Sequence, residues 1–186
     1  MLDTGKPPLD GAFGVIIWKE QAGGVRFFTN NSNPKNPKNP TPQNVKLHSI
    51  ELWIDTSKIP TSNAPPLVLS ICPENITSRS SFPFPSDANC HRHELPPLAP
   101  APRYHVVFQP KHHIWLSTET PWWIVLRSSS DNVMNGYGWL DSVNGEAYNA
   151  FWSTETGWVP EGKRKTSYNA KVWMTGSDNE MIIAMS

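Results

Sequence analysis

The amino-acid sequence predicts an all-β fold: a two-sheet, jelly-roll-like β-sandwich with long Pro-rich loops and arms. Three observations lead there. Apolar residues alternate over short stretches broken by Gly, Pro, Asn and Ser clusters, and no run of a dozen residues keeps helical apolar spacing uninterrupted. Nine Trp and nineteen Pro accompany only 17% charged residues, which suits β-structure with ordered loops. At 186 residues the chain can build one sizeable core, so a single domain over 1–186 is expected.

Residues 12–18 (AFGVIIW) and 25–29 (VRFFT) read as strands around a turn containing Gly23 and Gly24, either a hairpin or a bent edge pair. Residues 33–42 (NPKNPKNPTP) repeat proline at Pro34, Pro37 and Pro40, which removes backbone donors and favours an extended, polyproline-like segment. In 45–54 (VKLHSIELWI), Val45 and Leu47 hold one parity and Ile50, Leu52 and Ile54 the other, which predicts a bulge near His48 and Ser49. Residues 67–72 (LVLSIC) form the next strand. Residues 73–103 hold seven prolines, Pro83 and Pro85 among them, and show no strand or helix pattern; so long a connection implies a use. Strands follow at 104–109, 114–116, 122–127, 137–141, 147–152, 157–158, 170–175 and 181–185. Ten to twelve short, evenly spaced strands argue for two stacked sheets rather than βαβ units.

Sixteen basic and sixteen acidic residues balance to zero formal charge, so no global field draws in nucleic acid or an anionic membrane. Residues 1–8 lack the features of a secretory signal, and no apolar stretch has the length of a membrane span. Synthesis and assembly in the producer's cytosol are therefore expected, with the sequons at Asn30 and Asn75 idle. Cys72 and Cys90 are too few for a disulfide framework and read as buried or reduced thiols.

No GxSxG, HExxH or phosphate-cradling glycine loop is present, acidic residues are dispersed, and the chain reads as non-enzymatic, with no cofactor. Cys90, His91 and His93, with His112 and His113, are zinc-type ligands at spacings that do not match a common zinc site; solvated loop histidines are the plainer reading. At an interface, these histidines would give a pH response. Trp122 and Trp123 must face opposite sides of their strand, so one joins the core and the other is covered or exposed. Trp139, Trp152, Trp158 and Trp173 raise the same question. Core packing is the ordinary outcome, whereas an exposed row would serve sugar stacking or a partner subunit.

Over 104–176 the order of features resembles the Trp-rich β-sandwich modules of choice-of-anchor type found on bacterial and phage surface proteins. The resemblance rests on Thr120, Pro121, Trp122, Trp123 and the aliphatic, Ser-rich run that follows, then Asp131 and Asn132, Tyr137-Gly138-Trp139, a hairpin over 148–158, and an aliphatic strand over 172–176. Residues 45–54 and 67–71 stand where such modules keep two further strands. The resemblance implies a sandwich with a non-enzymatic, surface-display role; the long insert at 73–103 and the lack of a signal peptide and anchoring tail depart from it.

Together these features lead to the expectation of a virion structural protein, assembled in a host cytoplasm and exposed on the particle. The first expectation is a phage capsid cement or decoration protein, with major capsid protein and further copies of itself as partners. Arms at 1–9, 33–42 and 73–103 would clasp neighbouring subunits, because proline lowers the entropy lost when an arm is laid down. The alternative is a carbohydrate-binding module of a tail fibre or surface protein. The interaction surface expected for either draws on Trp122, Tyr137, Trp139, Trp152, Trp158, Pro34, Pro37, Pro40, Pro83, Pro85, His91 and His93.

Overall fold

A computed structural model describes residues 2–8, 13–29, 44–75, 82–142, 147–163, 167–176 and 181–182. The strands are β1 (Phe13–Ile17), β2 (Gln21–Phe27), β3 (Asn44–Asp55), β4 (Leu67–Pro73), β5 (His91–Glu94), β6 (Tyr104–Phe108) and β7 (Ile114–Ser117). They continue with β8 (Trp122–Ser128), β9 (Tyr137–Ser142), β10 (Tyr148–Ser153), β11 (Gly157–Lys163), β12 (Ser167–Tyr168), β13 (Lys171–Gly176) and β14 (Met181–Ile182). Among the described residues the only helical element is a 3-10 turn, Val133–Asn135, capped by the Asn132 side chain on the amide of Met134.

Two antiparallel sheets pack face to face. One has eight strands in the order β1-β9-β3-β13-β14, with β12 beside β9 and both β6 and β7 beside β3; the other runs β11-β10-β2-β8-β4-β5. The chain crosses repeatedly between them. Alternation sets what each strand buries: Val45, Leu47, Ile50, Leu52 and Ile54 from β3 meet Val25, Phe27, Leu69, Ile71, Ile124 and Leu126 of the opposite sheet in one core.

The bulge expected in β3 is present. Trp173 pairs with Ser49 and Met174 with Leu47, so His48 is the extra residue that lets both apolar phases point inward. The hairpin or bent edge pair expected around Gly23 and Gly24 is not: β1 pairs with β9 in one sheet and β2 with β8 and β10 in the other, and among the described residues only a Trp18–Gln21 bridge joins the two. The turn lies instead at Trp18 and Gln21, which bond each other's backbones, while Gly23 and Gly24 sit inside β2. Gly23 has the closer neighbours: a Cβ there would come within 2.8 Å of Val15 and 3.1 Å of Trp139, side chains of the facing sheet, whereas one at Gly24 would meet Trp123 at 3.3 Å. Gly157, at φ +68°, begins β11 after the turn that closes the β10–β11 hairpin.

The described parts of two segments expected to be free arms, 2–8 and 73–75 with 82–103, lie on their own domain. In 1–9, the Leu2 carbonyl accepts from Val172 N and Thr4 N donates to Ala170 O at 3.1 Å, so backbone groups left open beside β13 are satisfied within the chain. Asn169 Nδ2 donates to the Gly5 carbonyl, and Arg103 to that of Pro7. In 73–103, Glu74 bridges Pro85, β5 pairs with β4, and Leu95 and Leu98 enter the main core. Thr56 Oγ1 ties Ala99 and Ala101 to the end of β3. The third segment, 33–42, with Pro34, Pro37 and Pro40, lies outside the described residues.

Cys72 and Cys90 are not thiols but a disulfide. Pairing of Ile71 with His91 brings Cys90 opposite Cys72, and the two sulfurs meet on the outer face of the six-stranded sheet. With Trp123, Val125, Ala150 and Trp158 they form a second, smaller apolar cluster outside the main core.

Candidate functional site

The outer face of the eight-stranded sheet carries three tryptophans set among polar groups. Because Ile50, Leu52 and Ile54 point inward, Glu51 and Trp53 point outward, and their cross-strand partners share that face. Trp53 faces His105, and the rings stack at 4.6 Å between centroids. Glu51 stands between Val107 and Lys171. Its carboxylate accepts from Trp173 Nε1 at 2.9 Å and His105 Nε2 at 3.1 Å, which fixes both rings. Lys171 Nζ lies 4.6 Å from the Trp173 ring centre and pairs with Asp3 at 3.1 Å. Further along, Trp115 stands opposite Lys46, whose Nζ donates to His113 Nε2 at 3.0 Å. Trp53 and Trp173 are half-buried and Trp115 is 47% exposed. A strand rise of about 3.3 Å and a strand spacing of about 4.8 Å put the three backbones roughly 12–14 Å from one to the next.

Most residues expected to form an interaction surface lie elsewhere. Trp122, Tyr137 and Trp139 belong to the core because their strand parity turns them inward; each satisfies its polar atom on a backbone carbonyl, of Ser117, Pro65 and Asn169 respectively. Trp123, the outward partner of Trp122, is covered by the disulfide and Trp158. Trp152 and Trp158 pair across β10 and β11 and flank Arg127, which is held by Asp87 at 2.7 Å. Pro85 is buried beneath its own loop and Pro83 is half-buried. His91 is exposed on β5, its ring 6.3 Å from that of Trp122.

Trp53, Trp115 and Trp173 are the tryptophans that share the open face, and Trp53 and Trp115 carry a signal that was readable. Each lies between two inward aliphatic residues, Leu52 and Ile54 or Ile114 and Leu116, and period two turns it out.

His93 lies in a cleft of about 770 Å³ between β5 and β6, the neighbouring edges of the two sheets, with its ring 4.7 Å from that of Phe108. Its Nε2 is buried and has no hydrogen-bond partner. Burial first, then the proximity of His91, pushes its pKa below the ordinary 6.5. Protonation therefore favours the unfolded chain. Stability should be full above 6.5 and fall as pH drops from there toward the folded value. Urea midpoints measured from about pH 8 to about pH 5 should show this fall, reduced in His93→Phe; an unchanged profile in the variant would exclude His93 as its source.

Among the described residues no group of three or more His, Cys, Asp or Glu side chains could hold a metal, and Cys90 is taken up by the disulfide. No protein-family model, curated protein or solved structure matches the chain, so the reading of this surface rests on its own chemistry.

Proposed function

We propose that the chain is a non-catalytic carbohydrate-binding module that takes an oligosaccharide on the tryptophan face of the eight-stranded sheet. The observation that carries this is the interleaving of Trp53, Trp173 and Trp115 with Glu51, His105, Lys171 and Lys46 on one open surface. Sugars present apolar C–H faces edged by hydroxyls, so they need aromatic surface and fixed polar partners side by side. The Glu51 hydrogen bonds hold Trp173 and His105 in place before any ligand arrives, which reduces the ordering cost of binding. The spread of the three rings suits an oligosaccharide rather than a single sugar.

A glycan array followed by calorimetric titration tests the reading. Trp115→Ala should weaken binding of the best ligand about tenfold, near the upper end of an aromatic contact. Because Trp115 is only half buried, its loss should cost about 1–2 kcal/mol of folding stability, less than a core tryptophan, and leave the fold intact for the titration. Absence of saccharide binding, or unchanged affinity in Trp115→Ala, would refute the proposal.

A second reading, a phage capsid decoration protein, is supported by a separate aromatic group on the opposite sheet. There Phe28 and Tyr148, both substantially exposed, flank Arg26, whose guanidinium lies 4.6 Å and 5.6 Å from their ring centres. Such Arg and aromatic clusters suit a protein partner. Since the described parts of 1–9 and 73–103 are laid on their own domain, contact would come through this surface rather than through those parts. Co-sedimentation with assembled shells, lost in Phe28→Ala with Tyr148→Ser, is the expected result. Sedimentation of shells without the chain would end this reading.

A further inference from the structure

We propose that the saccharide taken by the tryptophan face is an acidic one, with its carboxylate or sulfate seated in a basic depression beside the β3 bulge. This rests on the carbohydrate-binding reading and names the ligand class. The extra residue at the bulge, His48, is exposed on the outer face, and the connection between β6 and β7 passes alongside it. Between them is a depression of about 400 Å³ whose side chains include Lys46, His48, Lys111, His112 and His113, with no carboxylate among its described lining residues. Its place on the sheet matters. Trp115 stands opposite Lys46 and Trp173 opposite Ser49, so the depression opens between two of the three tryptophans.

Among the described residues the local charge is uncompensated. Among the described residues neither Lys46 nor Lys111 has a carboxylate partner, while the outward carboxylate of the same strand, Glu51, is occupied by Trp173 and His105. His48 Nε2 is 2.6 Å from Thr175 Oγ1, and Lys46 is hydrogen-bonded to His113, so both are oriented rather than loose. In a chain of zero formal charge, two lysines beside one hollow whose other polar groups are imidazoles and amides make a locally positive site. An anionic group there would receive charge-assisted hydrogen bonds, while the sugar rings on either side lie against Trp115 and Trp173.

The test uses the 186-residue chain and an array of matched oligosaccharides, each presented with its acid groups free and as methyl esters. The acid form should bind at least tenfold more tightly than its ester, and more weakly as salt is raised. Lys111→Gln should cut that preference at least threefold and leave ester binding unchanged, and adding Lys46→Gln should abolish what remains of it. Equal binding of acid and ester, both weakened in Trp115→Ala, overturns the acidic preference and leaves the carbohydrate reading standing. Failure of every saccharide, acid or ester, removes the carbohydrate reading and this inference together.

Discussion

Replacing Trp139 with alanine should cost about 3–5 kcal/mol of folding stability, the range seen when a large aromatic is removed from a packed core. Trp139 is fully buried where three strands meet: its backbone pairs with Val15 of β1 and with Ile54 of β3. Its ring lies 5.0 Å from that of Tyr168, and its Nε1 donates to the Asn169 carbonyl at 2.8 Å. The substitution therefore opens a cavity and also leaves a buried acceptor unpaired, a loss of about 1–3 kcal/mol within that total. For a domain of this size each kcal/mol moves Tm by roughly 2–4 °C, so the drop should be roughly 6–20 °C. Trp139→Phe should fall between, because it keeps apolar volume and loses the donor. Urea or thermal unfolding reads this directly. A Trp139→Ala variant melting within about 2 °C of the parent would mean that this ring is not where the two sheets are joined.

Removing the disulfide, by reduction or as Cys72→Ser with Cys90→Ser, should cost about 3 kcal/mol from loop entropy, given the separation of 18 residues. The loss should be local in origin. The bond staples the loop between β4 and β5 over Trp123 and Trp158, so the outer cluster should loosen while the inter-sheet core persists. Hydrogen exchange should rise at 82–94 and remain slow in β3 and β8. Uniform loss of protection, or none, would contradict this division into two clusters. The bond revises the expectation of buried or reduced thiols; disulfides of this kind persist in oxidising surroundings.

The sandwich was legible because burial alternates wherever a sheet has one wet face. Strands β3, β4, β6 to β10 and β13 lie close to where alternation placed them, and the parity change in 45–54 foretold the bulge. Strand β5 was not legible. His91-Arg92-His93-Glu94 holds no apolar alternation because it is an edge strand whose side chains are mostly exposed, and its pairing with β4 is made by backbone. Without β5 the disulfide could not be foreseen. Gly23 and Gly24 read as a turn, since nothing local reveals that Val15 and Trp139 crowd the space a side chain on Gly23 would fill.

The candidate site was half legible. Trp53 and Trp115 could have been assigned outward from their aliphatic neighbours, whereas Trp122, Tyr137 and Trp139 lie in strands buried on nearly every residue, where period two gives no sign of which face is wet. The arms failed for a related reason. Proline marks extended backbone equally well whether that backbone grips a neighbour or closes over its own sheet, and Thr4 and Thr56 supply the hydrogen bonds that decide for the latter.

The strip of backbone that joins Leu2 and Thr4 to Ala170 and Val172 bears on the order in which the chain can mature. β3 takes β13 as a neighbour in one sheet and β2 takes β10 in the other, so neither sheet can close until most of the polypeptide has been made. Folding should consequently be slow, in the millisecond-to-second range typical of such non-local topologies. During translation the early strands would wait with open edges, exposed to association with other nascent chains until the C-terminal strands emerge. Truncation before residue 169 should therefore yield aggregates rather than a smaller folded unit.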